Sequence, residues 1–278
     1  MIVPNTAAGV VPCPAQRQGL LRAAFAKGPA VTADIAAAGA TPLSGQFALS
    51  GPSKVVDPRV TPVRGDLADI ALAGKLFAPH YVVPLEKAVA LPFVALRKTG
   101  SPDAEQTSEL LEGERFRVLD LSGEAERAWA WGYGAHDGYL GYLPVAALGD
   151  PHDVLLPPAD GVDPVAAAEA LAGMPYVWGG RGGAGIDCSG LVQTVFARAG
   201  YALPRDSDQQ RAAAGRLLGE AEPSRRGDLA FFPGHVGIMS DPATLIHASQ
   251  ERGAVVIEPL AEVAARKGGA IIARRRVL

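Results

Sequence analysis

The spacing of apolar residues changes character several times along the chain. Over residues 1–55 Ala, Gly and Pro are scattered among polar residues with no sustained period, and only "QGLLRAAFAK" at 18–27 predicts a short helix, so this part reads as an arm. From Val56 the text becomes "VDPRVTPVRGDLADIALAGKL", whose mixed charged and apolar residues suit a segment wrapped on a folded body. Between Val89 and Leu148 the runs "VALPFVAL", "ERFRVLDL", "AWAWGYG" and "GYLGYLP" are separated by Gly, Ser, Asp and Pro. Short strands at such close spacing predict a small all-β barrel within 56–150. The intervening "RKTGSPDAEQTSELLEGE" reads as a long early loop followed by a hairpin.

A Pro- and Asp-rich linker over 151–162 then gives way to a legible helix start, with Asp163 as cap, Pro164 in the first turn and "VAAAEALAG" running on to Gly173. A second domain over 163–278 begins there. A helix is predicted over 188–199 from apolar residues at 191, 192, 195, 196 and 199, followed by the polar loop and helix "PRDSDQQRAAAGRLL". The period then drops to that of strands in "GDLAFFPGHVGIM", "ATLIHAS", "AVVIEPL" and "AIIARRRVL". Helices first and an antiparallel sheet afterwards make an α+β order.

Composition narrows the function. The formal charge is −3 over 278 residues, so there is no basic field for nucleic acid or for anionic lipid. No run approaches the roughly 20 apolar residues of a membrane span. The opening "MIVPNTAAGVVPCPAQRQ" lacks the basic start and unbroken apolar core of a signal peptide, and Cys13 and Cys188 are the only cysteines, so the expected compartment is the cytoplasm.

Chemistry concentrates in "GGAGIDCSGLVQ", where Cys188 opens its helix behind Asp187. Unpaired N–H groups and the positive end of the helix dipole favour a thiolate at such a position. A nucleophile needs a base, and the base needs an orienting partner. A hairpin centred on Asp241 would set His235 and His247 directly opposite one another, with Cβ atoms ~4.5–5.5 Å apart on one face. One imidazole would then take the thiol proton while the other fixes its tautomer. Singly, a cysteine in an apolar chain is most often structural and a strand histidine most often a hydrogen-bonded core or surface residue. Zinc ranks below the nucleophile, because one Cys and two His supply three ligands without a close pair. The expectation is therefore that the sulfur and both rings share one crevice, with no metal and no cofactor.

Taken together, "YVWGG", "GIDCSGLVQTVFARAGYALPRDSDQQ", "RRGDLAFFPGHVGIM" and "LIHAS" closely resemble the NlpC-type cysteine peptidases, papain-like hydrolases of bacterial cell-wall peptides. The resemblance covers 163–278, and "GYLGYLP" resembles the Src-homology-3-like barrels that accompany such enzymes. It implies Cys188 as nucleophile, His235 as general base and His247 as its orienting residue. Tyr176 would help hold the oxyanion. In the subset that trims murein peptides, the aspartate before the cysteine binds the free amine of the substrate's L-Ala, which points to Asp187, while Ser189 and Ser207 match serines lining the same subsites. A barrel walling the cleft would contribute Tyr139 and an acidic residue, with Glu109 the candidate. The implied substrate is a murein tripeptide or tetrapeptide with a free L-Ala end, cut at the γ-D-glutamyl bond to the diamino acid. Two rivals remain at this point, a secreted autolysin acting on intact wall and a non-catalytic peptide-binding protein.

Overall fold

The computed structural model describes residues 56–124, 127–151, 161–269 and 271–278; the expected helix at 18–27, Cys13 and most of the linker lie outside these. The segment after Asp57 runs across the body and pairs β1 (Leu67–Asp69) with β2 (His80–Val82) in a small parallel ribbon. Seven further strands follow: β3 (Leu85–Val89), β4 (Phe93–Arg97), β5 (Gln106–Leu111), β6 (Arg115–Ser122), β7 (Trp129–Gly134), β8 (Leu140–Pro144) and β9 (Leu148–Gly149). Their sheet order is β5-β4-β8-β7-β6-β3-β9 with every pair antiparallel. Alternate residues point inward to a core of Val89, Leu96, Leu110, Phe116, Ala130 and Leu143.

One departure from the sequence reading falls here. The stretch expected as a long loop contains β5, whose buried residues include the polar Ser108 and Glu109. A strand with buried polar positions has no period-2 apolar signature; its backbone is paired by β4, and the next domain supplies the partners of Ser108 and Glu109.

That domain opens with α1 (Pro164–Glu169), capped by the Asp163 carboxylate, which accepts the Val165 N–H at 2.9 Å. It continues with α2 (Cys188–Arg198) and α3 (Ser207–Ala213). Strands β10 (Arg216–Leu217), β11 (Leu229–Phe232), β12 (His235–Asp241), β13 (Thr244–Ser249) and β14 (Ala254–Pro259) follow, then α4 (Leu260–Arg266) and β15 (Ala273–Arg276). The six strands form one sheet ordered β10-β15-β11-β12-β13-β14. Leu191, Val192, Val195 and Phe196 bury one face of α2 against Leu229, Val236, Ile238, Ile246 and Ala248. At about 25 cal/mol per Å² of apolar surface this burial is the main stabilising term of the domain. Helix α4, absent from the strictly helices-then-strands reading, covers the other face through Val263 on Phe232, Met239 and Leu245.

The two domains meet along a tight seam. A Cβ on Gly183 would lie 2.3 Å from the Phe93 ring of β4, so only glycine lets the loop before Cys188 approach the barrel. Arg181 donates to both oxygens of Glu114 (2.6 and 2.9 Å), to the Glu109 carbonyl (2.9 Å) and, through Nε, to Gln193 (2.8 Å). Its own backbone N–H and that of Gly183 donate to Glu109 Oε2 at 2.9 and 2.8 Å.

Candidate functional site

Cys188 is the first residue of α2 and is free of any disulfide. Asp187 caps the helix, accepting the Gly190 N–H on Oδ1 (2.7 Å) and the Gly179 N–H on Oδ2 (2.9 Å). A Cβ on Gly190 would meet the Gly180 carbonyl at 2.3 Å, which is why the turn after the cysteine carries glycine. Arg205, fully buried, then clamps Asp187 from NH1 (3.0 Å) and NH2 (2.6 Å) and also reaches Ser189 Oγ and the barrel's Ser108 Oγ, both at 3.0 Å. With Ser189 Oγ adding a bond at 3.2 Å, both carboxylate oxygens are saturated by groups of the fold. Asp187 thus stands at the crevice as helix cap and Arg205 partner, with its acceptors engaged by groups of the fold.

The thiol also departs from expectation. Burial pushes Cys188 up to about 12 and Asp187 adds to the rise, against partial lowering by the Val236 N–H, Arg205 and the Ser189 N–H. Desolvation outweighs the helix end, so the resting group is a neutral thiol rather than a thiolate. The sulfur is held against the start of β12, where the Val236 N–H points at it, one residue beyond His235. Among the described residues no hydrogen bond joins the thiol to the His235 ring.

His235 and His247 do meet: His235 Nε2 lies 2.8 Å from His247 Nδ1, with ring centroids 4.9 Å apart and planes at 80°. They are not directly opposed. The pair Ile238 with Ile246 centres the hairpin on Pro242 rather than Asp241, with an irregularity between Met239 and Asp241, so the two histidines sit on a diagonal of one face. Diagonal neighbours ~7–8 Å apart are still bridged by rings of this size. Burial, followed by the neighbouring His247, lowers His235 to about 3. His247 is lowered by burial against an opposing pull from Glu258. Both rings are thus neutral at pH 7.

Glu258 on β14 is the residue that the sequence reading missed. Its Oε2 lies 3.0 Å from His247 Nε2 and also receives Arg266, while Oε1 receives Arg252 Nε at 2.8 Å. The available signal was a lone carboxylate in the apolar run "AVVIEPL". In the register of β13 on β14 it stands opposite Leu245, two places from His247.

Cys188 opens into a crevice of about 610 Å³ between the domains, lined on one side by Trp178, Asp187, Ser189, Asp206, Ser207, Asp208 and Gly234 and on the other by barrel residues including Lys98, Glu105, Trp131, Tyr139 and Tyr142. Tyr139 donates its hydroxyl to Asp206 Oδ2 at 3.0 Å. The same oxygen receives Arg59 NH1 at 2.7 Å, and Arg59 also pairs with Asp57 and Asp208 while its carbonyl accepts the Leu140 N–H. Of the expected subsite residues, Asp187, Ser189, Ser207 and Tyr139 line this crevice with Cys188. Glu109 does not, because it is buried in the seam and spends its carboxylate on backbone N–H groups; the barrel acid at the crevice is Glu105. Tyr176 is half-buried, bridged to Ile186 just before the cysteine, and its hydroxyl is raised by burial and then by Cys188 and Asp187. Among the described residues no group of three or more His, Cys, Asp or Glu is arranged to hold a metal ion, and no helix is long and apolar enough to cross a membrane.

Comparison with known proteins bears on both domains. Residues 173–271 match the NlpC/P60 family model, and residues 96–148 match the model of the bacterial dipeptidyl-peptidase Sh3 domain. A gamma-D-glutamyl-L-lysine dipeptidyl-peptidase of Bacillus cereus is 32% identical over 117 residues, covering 39% of this chain and 34% of that protein. Its namesake from Bacillus subtilis is 35% identical over 99 residues, covering 32% of each. The chain thus spans about a third of the length of these curated relatives. A crystal structure of an NlpC/P60 family protein from Bacillus cereus aligns with a TM-score of 0.40 at 24% identity, covering 69% of this chain and 63% of that one.

Proposed function

We propose, from the match of residues 173–271 to the NlpC/P60 family model, that the chain is a cysteine endopeptidase cutting the γ-D-glutamyl bond to the diamino acid in murein peptides that carry a free L-Ala. The observation that carries this reading is the sharing of one crevice by Cys188 and a barrel wall, with the sulfur resting on β12 beside His235, whose imidazole is linked to that of His247 on β13.

In this reading Cys188 Sγ attacks the γ-carbonyl carbon while its proton passes to the unbonded Nδ1 of His235. The carbonyl oxygen becomes an oxyanion, held by the Cys188 N–H and the Tyr176 hydroxyl. Collapse breaks the C–N bond, His235 gives its proton to the departing amine, and a thioester remains on Cys188. Water, deprotonated by His235, then adds to the thioester carbon and releases L-Ala-γ-D-Glu and the thiol. A neutral thiol beside a neutral imidazole suits this order, because the proton moves only as the carbon–sulfur bond forms.

The free amine is assigned to the Asp206 and Tyr139 end. With Asp187 paired to Arg205, three carboxylates (Glu105, Asp206 and Asp208) and two cations (Arg59 and Lys98) line the crevice, a balance that favours an ammonium over an acylated end. Arg59 ties that end to both domains. A subsite for a free amine favours short soluble peptides over intact wall. Mass spectrometry of a free L-Ala-γ-D-Glu-diaminopimelate tripeptide treated with the parent protein and with Cys188→Ala tests the reading. The parent yields L-Ala-γ-D-Glu and the variant none; equal turnover by both would dismiss Cys188 as nucleophile.

A further inference from the structure

From the chain of contacts behind His235 we infer that Glu258 is a positioning residue that holds both histidines as Nε2–H tautomers and so presents His235 Nδ1 as the free base. Glu258 meets His247 from β13, Arg252 from the turn after it and Arg266 from α4, while Glu251 and Lys267 act on His235, one ring further on β12. Lys267 is engaged by Glu251, so the two arginines act directly on Glu258.

Burial opposes the charge of Glu258, yet the hydrogen bonds from His247, Arg252 and Arg266 more than offset it and hold the carboxyl below its usual range. An ionised carboxylate only accepts. The His247 nitrogen 3.0 Å away must therefore carry the hydrogen, which makes a neutral His247 the Nε2–H tautomer with an acceptor lone pair on Nδ1. That lone pair lies 2.8 Å from His235 Nε2, which must donate in turn. A neutral ring has one N–H, so His235 Nδ1 is left bare. Among the described residues Nδ1 makes no hydrogen bond, as a base awaiting a proton requires.

The same chain acts after the transfer. Once His235 Nδ1 has taken the Cys188 proton, the imidazolium donates through Nε2 to His247, whose own N–H ends on a carboxylate. Glu258 stays ionised throughout and takes no proton, and its charge stabilises the imidazolium through the second ring. The tautomer assignment stands apart from the peptidase reading, and only the step from thiol to His235 rests on it.

The test uses the full chain with 15N-labelled histidine and long-range 1H–15N spectra at pH 7, beside kinetics on the free tripeptide. In the parent protein His235 and His247 both show protonated Nε2 and bare Nδ1. In Glu258→Gln, nearly isosteric and uncharged, Arg252 and Arg266 compete for the one amide oxygen and the amide N–H turns to His247, so at least one ring shows Nδ1–H, and kcat falls at least roughly tenfold with KM little changed. Glu258→Asp, which keeps the charge on a shorter arm, recovers part of the tautomer signal and of kcat. A parent His235 carrying its hydrogen on Nδ1, or a Gln variant retaining both tautomers or the parent kcat, overturns the inference. Should the Gln variant not fold, the parent spectrum alone decides. A parent with the expected tautomers that cleaves no tripeptide removes the peptidase reading and leaves the tautomer assignment in place.

Discussion

The two ends of the crevice solve the problem of burying polar groups in opposite ways. Behind Cys188 the rings of His235 and His247 are kept neutral, and charge enters only at Glu258, where two arginines meet it. At the other end and along the seam, full charges are retained and neutralised one by one: Arg205 on Asp187, Arg181 on Glu114, and Arg59 among Asp57, Asp206 and Asp208. The first arrangement leaves a nitrogen free to accept a proton. The second fixes walls and orientation, since an ion pair held by several hydrogen bonds has one geometry. A site that must both move a proton and measure a ligand is served by having the two kept apart.

Breaking the charged arrangement should have the larger consequence. Arg181→Met leaves Glu114 buried without its partner, and an uncompensated buried charge costs about 3–5 kcal/mol. Urea unfolding should register that loss, and adding Glu114→Gln should recover much of it, because the orphaned charge is then gone. Unchanged stability in the single variant would mean that the seam is not held as described.

The neutral end makes a smaller and pH-dependent contribution. His235 is lowered from 6.5 to about 3 by folding, so between those values the unfolded chain binds more protons than the folded one. Its stabilisation is therefore complete above about pH 6.5 and is lost as pH falls toward 3. From pH 7 to pH 5 the loss from this group comes to about 2 kcal/mol. Denaturation midpoints followed over that range should fall in the parent and fall less in His235→Asn; parallel curves would contradict a buried neutral ring.

The same contrast explains what could be read from the chain. The neutral end lies on a helix start and two strands whose apolar residues announce them, so Cys188, His235 and His247 can be singled out by position, and the hairpin differs from expectation only by the one-residue shift of its centre. The charged end defied reading because its members answer to residues far away. Ser108 and Glu109 look like loop residues until Arg205, Arg181 and Gly183 are set against them, 72 to 97 positions along the chain. Asp187 is legible in its own stretch as a helix cap, but nothing there reveals that Arg205 closes over it. Glu258 lay in plain view as a single acid in a buried strand, but its meaning depended on the register that sets it beside His247.

The central claim is that this crevice takes the free amino end of a cell-wall peptide. Its most direct test is a comparison of kcat/KM for the free and the N-acetylated L-Ala-γ-D-Glu-diaminopimelate tripeptide, with whole sacculi as a third substrate. The account predicts efficient cleavage of the free tripeptide, at least roughly tenfold slower cleavage of the acetylated one, and little release from sacculi. Equal turnover of the two tripeptides, or vigorous digestion of sacculi, would contradict it.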